Sequence, residues 1–347
     1  MMLLAIDLAL IIEKLVLIIV VVMASLVIAM YTTFAERKVA AILQDRRGPN
    51  RAGPFGLLQP LADGLKLFFK EEIIPDFSSK SLFILGPGLA MLTAIMTSAV
   101  IPWGNKLEFF GRDISLQIAD INIGILYVFG VVSLGVYGIM IGAWASNNKF
   151  SLMGGLRAAS QIISYELAMG ISLIALLMVT GTLSLKEMVI QQQNGYWNIV
   201  YQPLGFLIFL ICAFAECNRT PFDLPEAENE LIGGYHTEYS SMKLGFYLFS
   251  EYINMFISSV IMSTLFFGGY DIPFVNEAAL SPNMAALLGV LALMVKVVFF
   301  IFFFMWVRWT IPRFRYDQLM HLGWRILIPL ALFNMLVTGG LILYFNK

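Results

Sequence analysis

The chain has 347 residues, 59% of them hydrophobic and only 13% charged, with a net charge of −1 and a mean hydropathy of +0.81. Soluble domains run at about 45–50% apolar and about 25% charged, so the balance defines an all-α polytopic membrane protein and gives no basic surface for nucleic acid. Cys212 and Cys217 form no C-x-x-C and read as packing residues, His236 and His321 fall in expected loops, and there is no P-loop or G-x-G-x-x-G. Metal, haem and nucleotide sites built by this chain alone are thereby disfavoured.

Apolar runs able to cross about 30 Å of hydrocarbon, roughly 20 residues at 1.5 Å each, predict about eight transmembrane helices within a single membrane domain, 1–347. They lie near 14–34, 81–101, 122–144, 158–180, 203–216, 243–268, 284–306 and 324–345. The first continues an apolar piece that starts at Met1, as a long tilted helix would. Asp7 and Glu13 within it, and the lack of a basic n-region, read against a removable signal peptide.

The first cytoplasmic loop, 36–80, turns at Gly48-Pro49 and Gly53-Pro54 and then changes period. Leu58, Leu61, Leu65 and Phe68 recur at helical spacing with Asp63, Lys66 and Lys70 opposite them, which predicts a short amphipathic helix along the membrane surface. The loop at 106–121 is polar enough to hold another short element. The run at 203–216 is the exception: about 12 apolar residues, or roughly 18 Å, fall short unless the helix starts near Trp197 and takes Pro203 as a kink.

Trp103, Trp144, Trp197, Trp306, Trp309 and Trp324 all fall at or near expected helix ends, as interfacial residues do. Sixteen Lys and Arg flank one side of the helices and five the other. The positive-inside rule then places both termini in the periplasm and the structured loops in the cytoplasm, or in the matrix of a mitochondrion. No internal repeat is evident.

The stretch 215–240 packs Glu216, Asp223, Glu226, Glu228, Glu230 and Glu238 around one base, Arg219. A solvated loop is the simplest account of a charge run, but Pro221, Phe222, Leu224 and Pro225 make its middle stiff and apolar. Asp223 as N-cap, Glu226 three residues on and Gly233-Gly234 at the end predict a short helix. That helix would put Glu226 and Glu230 on one face and Glu228 on another; close like charges shielded from water would then push one carboxyl upward.

Ionisable residues inside membrane helices are costly and therefore candidates: Glu166, Glu216, Glu251 near Asn254, and Lys296. Glu251 and Lys296 fit a pair tying two helices equally well as an ion-carrying role. Glu166 and Glu216 approach the side of the acidic stretch and read as functional. Glu36, beside Arg37 and Lys38, reads first as an interfacial anchor. Arg46, Arg47 and Arg51 read first as the positive-inside signal and then as an anchor for anionic lipid or a partner protein.

AERK at 35–38, RRGPNRAGPFGLLQPLADGLKL at 46–67, AECNRTPFDLPEAENELIGGYHTEYS at 215–240 and PRFRYDQLMHLGW at 312–324 resemble the family of H-type membrane subunits of the proton-pumping NADH–quinone oxidoreductases, respiratory complex I. The resemblance covers nearly the whole chain, in order. It implies a bacterial cytoplasmic (inner) membrane protein, with the mitochondrial inner membrane as the lesser alternative, that lets the tail of a quinone substrate (ubiquinone or menaquinone) enter and starts a proton route. By the same resemblance, Arg37, Arg46, Asp63, Phe222, Asp223 and Arg308 line or support the quinone channel. Glu36, Glu166, Glu216, Glu226, Glu228 and Glu230 form the carboxylate chain.

The implied partners are quinone, lipid, the peripheral-arm quinone-site subunits, and the small and antiporter-like membrane subunits. No catalytic residue, metal or cofactor is expected on this chain, FMN and iron–sulfur clusters belonging to partner subunits. Two departures stand out: helix 122–144 lacks a carboxylate that some relatives carry, and His236 stands where many have asparagine. A membrane-bound hydrogenase subunit shares part of the motif set, and a stand-alone ion-coupled transporter would leave the long patterned loops unexplained.

Overall fold

The computed structural model describes residues 8–109, 112–273 and 281–345, without the side chains of Leu8, Ala9, Phe109 and Glu228; Asp7 and both termini, whose side of the membrane the charge pattern assigns, lie outside that set. Helix α1 (Leu8–Leu43) is unbroken, because AERKVAAIL contains good helix formers and no breaker precedes Gly48. Glu36, Arg37 and Lys38 therefore sit on its last turns. After it come the amphipathic α2 (Gln59–Phe68) and α3 (Lys80–Met96). An antiparallel hairpin, β1 (Lys106–Phe109) with β2 (Arg112–Ser115), is the short element expected at 106–121, with Leu107 opposite Ile114.

Helices α4 (Gly124–Ala145) and α5 (Lys149–Thr180) follow. α5 starts nine residues before its apolar run, at the point where the Asn148 side chain accepts a hydrogen bond from Phe150 N (2.9 Å), and it ends on Gly181 in the left-handed region (φ 68°). The helices α6 (Leu185–Gln193) and α7 (Asn198–Tyr201) lead to α8 (Pro203–Glu216). The short apolar run is not one kinked helix: the backbone breaks at Gln202 (φ −132°, ψ 58°) and Pro203 begins α8, since proline fits a first turn and not a helix interior.

The single turn α9 (Glu228–Leu231) precedes α10 (Ser241–Phe266) and α11 (Pro282–Thr310). α12 (Tyr316–His321) passes through a widened turn into α13 (Ile328–Phe345). Seven of these helices are long and apolar enough to cross a membrane, and α8 is an eighth, shorter apolar helix. The chain is an all-α multi-pass membrane protein.

α10 is the hub, 67% of its most apolar window being buried inside the chain against 22% for α1, and it packs on α1, α3, α8 and α11. α3 and α4 meet at glycines: a Cβ on Gly138 would lie 2.9 Å from Gly86 O, the close approach that small residues permit between membrane helices. The apolar stripe of α2 stays exposed, with Leu61, Leu65 and Phe68 each about half or more accessible. Ser241 Oγ, donating to Leu67 O (3.1 Å), ties the end of α2 to α10.

Lys296 does not pair with Glu251. Its ammonium donates to Phe267 O (2.7 Å), Gly269 O (2.8 Å) and Asp271 O (2.7 Å), just beyond the far end of α10, and lies 4.8 Å from the Trp197 ring centre. Fifteen residues of helix, about 22 Å, separate that end from Glu251.

Candidate functional site

The acidic stretch folds back on the C-terminal ends of α1 and α11 and the N-terminal half of α10, and Arg219 is its centre. Arg219 is 5% exposed. Its guanidinium lies 4.1 Å from the Tyr252 ring centre, with Nη1 3.4 Å from Glu36 Oε2 and Nη2 4.0 Å from Glu251 Oε2. Arg308 pairs with the other oxygen of Glu36, and the Tyr252 hydroxyl donates to Glu36 Oε2 (2.9 Å). Glu36 is thus not an interfacial anchor: it is 6% exposed, because α1 packs on α10 here and two arginines and a tyrosine replace water around it. Burial opposes the charge on Arg219, yet Tyr252, Glu36 and Glu251 hold the guanidinium above its ordinary value.

The short helix expected from Asp223 is only the single turn α9, Glu228–Leu231, with Ala227 at its N-cap, so Glu226 lies before it and shares no helical face with Glu230. Asp223 instead accepts from Arg313 Nη2 through Oδ2 at 2.6 Å, a partner ninety residues away. Its Oδ1 is buried and meets no hydrogen-bond partner among the described residues. Burial and the adjacent Glu226 push Asp223 up to about 6, against the pull of Arg313 and Arg308. Glu230 turns outward to Arg157 (2.5 Å).

Glu226 turns inward. Tyr235 Oη lies 3.1 Å from Glu226 Oε1 and 2.8 Å from Glu251 Oε1. A phenol has one proton to donate, so it donates to one of these carboxyls at a time and accepts from the other only when that carboxyl is protonated. Burial raises the Glu226 carboxyl, but its hydrogen bond with Glu251, the nearby His236 and Arg219, and the bond to Tyr235 together hold it below the ordinary range. Burial, with both carboxylates beside it, holds the Tyr235 phenol well above its usual value.

Below this cluster two small cavities of about 30 Å³ each share Val132, Glu216, Cys217 and Asn254 in their walls. One reaches Tyr235 and Glu251; the other runs on to Phe129 and Met169. Each has room for water. The next carboxylate, Glu166 on α5, accepts from Ser133 Oγ on α4 at 2.7 Å, and Ser133 follows the shared wall residue Val132.

A third cavity, about 270 Å³, opens between α1, α2 and α10, walled by Met30, Thr33 and Glu36 on α1, Leu67 on α2, and Phe249 and Tyr252 on α10. Arg37 and Asp63, ion-paired at 2.7 Å and partly exposed, also line it. Glu36 and Tyr252 therefore belong to two structures at once, the cavity wall and the charge cluster.

Of the residues singled out from the sequence, Glu36, Arg37, Asp63 and Arg308 meet at or beside this cavity. Glu226, Glu216 and Glu166 lead away from it. Arg46 stands in the exposed turn after α1, bonded to Gln44 (2.8 Å), and Phe222 packs against Tyr165 and Phe314 rather than lining the cavity. The side chain of Glu228 lies outside the described residues. Arg219, Tyr235, Tyr252, Arg313 and Ser133 were not singled out; only Arg219 carried a signal, as the sole base among six acids.

Among the described residues no group of three or more His, Cys, Asp or Glu could hold a metal ion. Fold and site together define a class: a multi-pass helical membrane protein that buries a connected set of ionisable groups beside a cavity between α1, α2 and α10. A family model described as "NADH dehydrogenase" matches residues 15–339. The chain is 68% identical to an NADH-quinone oxidoreductase H subunit of Cytophaga hutchinsonii over 96% of this chain and 97% of that protein. It is 67% identical to the corresponding H subunit of Flavobacterium johnsoniae over 96% of each, and 49% identical to one of Geobacter metallireducens over 98% of each. The chain belongs to this family, the H subunits of the NADH–quinone oxidoreductases.

Proposed function

We propose that this chain is the quinone-channel and proton-coupling subunit of a proton-translocating NADH–quinone oxidoreductase in a bacterial cytoplasmic membrane. The observation that carries the reading is the double membership of Glu36 and Tyr252 in the cavity wall and in the buried charge cluster. The cavity of about 270 Å³ accepts the apolar tail of a quinone, while the half-exposed Arg37–Asp63 pair borders its opening. Quinone chemistry, FMN and iron–sulfur clusters reside in peripheral-arm partners that dock over the acidic stretch. Small and antiporter-like membrane subunits would take up the proton route beyond Glu166.

The residues of this chain then act electrostatically. A change of charge at the cavity alters the balance that Arg308 and Arg219 strike around Glu36. Because Arg219 also faces Glu251, that change reaches the proton shared by Glu251, Tyr235 and Glu226. Glu216, in the walls of the two water-sized cavities, links this proton to Glu166. The reading is tested with Glu216→Gln in the assembled complex reconstituted into vesicles, measuring quinone reduction and proton pumping separately. Pumping should fall at least tenfold, since a relay carboxyl carries the proton; unchanged reduction and pumping would remove Glu216 from the route.

A further inference from the structure

Toward the start of α1, away from the cavity beside Glu36, lies a fourth cavity of about 180 Å³. It is walled by Leu17, Val21 and Ser25 on α1, Phe256 on α10, Met294 on α11, and Trp103 after α3. Its wall offers water little, since the Ser25 hydroxyl already donates to Val21 O (2.8 Å), and apolar cavities of about this size stay dry. Val20 also lines it and is 56% exposed, so the cavity opens on the outer face of the bundle. Met23 on α1 and Leu287 and Leu291 on α11, from the same stretches of helix, are likewise more than half exposed. On spanning helices such a surface faces hydrocarbon, and what fills a dry opening there is a hydrocarbon chain.

The end of the cavity nearer the start of α1 is charged. Glu13 and Lys14, both partly exposed, stand one turn before Leu17. Helical side chains lean toward the N-terminus, which carries these two away from hydrocarbon and toward the headgroup layer. Lys14 Nζ is held there by donating to Gln117 O (2.8 Å), next to the wall residue Leu116, whose own carbonyl accepts from Trp103 N (3.2 Å). Adjacent residues on a helix do not face each other, so the two present a separate carboxylate and ammonium instead of a closed pair. Trp103 is 8% exposed, and its Nε1 has no hydrogen-bond partner among the described residues. A lipid ester carbonyl, which lies between acyl chain and headgroup, is the kind of acceptor this indole lacks.

We propose that this cavity is a binding site for an ethanolamine phospholipid. One acyl chain lies in the cavity between α1, α10 and α11, the phosphate meets the Lys14 ammonium, and the primary ammonium of the headgroup meets Glu13. The two charges read the headgroup. A glycerol phospholipid satisfies Lys14 but brings only a negative charge beside Glu13, and a choline headgroup has no N–H to donate to that carboxylate.

The test uses the assembled complex in vesicles that contain a trace of phospholipid with a photoreactive diazirine in one acyl chain and an ethanolamine, choline or glycerol headgroup. After illumination, labelled peptides are mapped by mass spectrometry. The ethanolamine probe should label the Leu17–Ser25 stretch and Met294 above the average over the labelled peptides of the complex. It should exceed the other two probes there by about threefold, the scale of one partly exposed ion pair. Glu13→Gln and Lys14→Gln, conservative changes at partly exposed positions, should each remove that preference. Ala24→Phe, which narrows the cavity that Ala24 lines, should lower labelling of its wall by all three probes and leave labelling elsewhere unchanged. Equal labelling by the three headgroups overturns the proposal, as does a preference that survives both charge variants. Wall labelling no higher than the average means ordinary boundary lipid only, and labelling undiminished in Ala24→Phe places the chain outside the cavity; either result overturns it. So does crosslinking of the wall to a neighbouring subunit in place of lipid.

Discussion

Replacing Arg219 by glutamine leaves Glu251 without a cation in contact, while Glu36 keeps Arg308. At an effective dielectric of about 20, a charge pair at 3.4 Å is worth about 5 kcal/mol and one at 4.0 Å about 4 kcal/mol. The stacking on Tyr252 adds up to about 2 kcal/mol. Burying the guanidinium offsets several kcal/mol of this sum, so truncating one partner of such a buried set should cost about 3–5 kcal/mol. Arg219→Lys retains the charge but loses the fork that faces two carboxylates and the planar stack; about 1–2 kcal/mol is expected.

A global melting point is ill-defined for a multi-subunit membrane complex, so the quantity to measure is local opening, by hydrogen–deuterium exchange of amides between Asn218 and Tyr235. A loss of about 3 kcal/mol corresponds to at least about 100-fold faster exchange in Arg219→Gln, with Arg219→Lys intermediate. Exchange in Arg219→Gln that matches wild type would refute the placement of Arg219 as the electrostatic centre.

Two other perturbations probe the neighbourhood. The Asp223 carboxyl is raised from 3.8 to about 6; a carboxyl held above its unfolded value stabilises the folded segment fully below about 4 and loses that contribution as pH rises through about 6, an effect of about 3 kcal/mol at about 1.36 kcal/mol per unit. Arg313 is among the groups that pull it down, so Arg313→Gln should move the infrared protonated-carboxyl band assigned to Asp223 to a higher midpoint pH, and an unmoved or lowered midpoint would contradict the ion pair. A Cβ on Gly154 would lie 2.5 Å from Tyr235 N and 2.8 Å from Gly234 C, both backbone. Gly154→Ala should therefore shift the segment that carries Tyr235, at about 1–3 kcal/mol, and reduce pumping more than quinone reduction; equal retention of both would show that the contact is slack.

The helices were legible because each crossing is a long apolar run, a signal local to the sequence. α2 was legible because its two faces alternate at helical spacing. The buried site was less so, since its contacts join residues far apart in the chain. Asp223 has the residue type and spacing of an N-cap, and nothing nearby in sequence reveals that Arg313 pairs with it. Lys296 and Glu251 look like a pair only while the helix length between them is ignored. Glu36 beside Arg37 and Lys38 reads as a surface anchor, and its burial depends on the distant Arg219, Tyr252 and Arg308. The acidic stretch had the right residues, but which of its carboxylates faces inward is decided by tertiary packing around irregular backbone.

The ammonium of Lys296, fastened to three carbonyls beyond Phe266, gives α10 a fulcrum. The turn at that end carries positive φ at Gly268 and Gly269 (73° and 54°), which directs successive carbonyls toward one point. An axial slide of α10 would have to break all three bonds together, whereas a tilt about that end breaks none. The helix is a lever pinned at one end and loaded near its middle, where Glu251 and Tyr252 sit, so electrostatic force there turns into lateral displacement against α1 and α3.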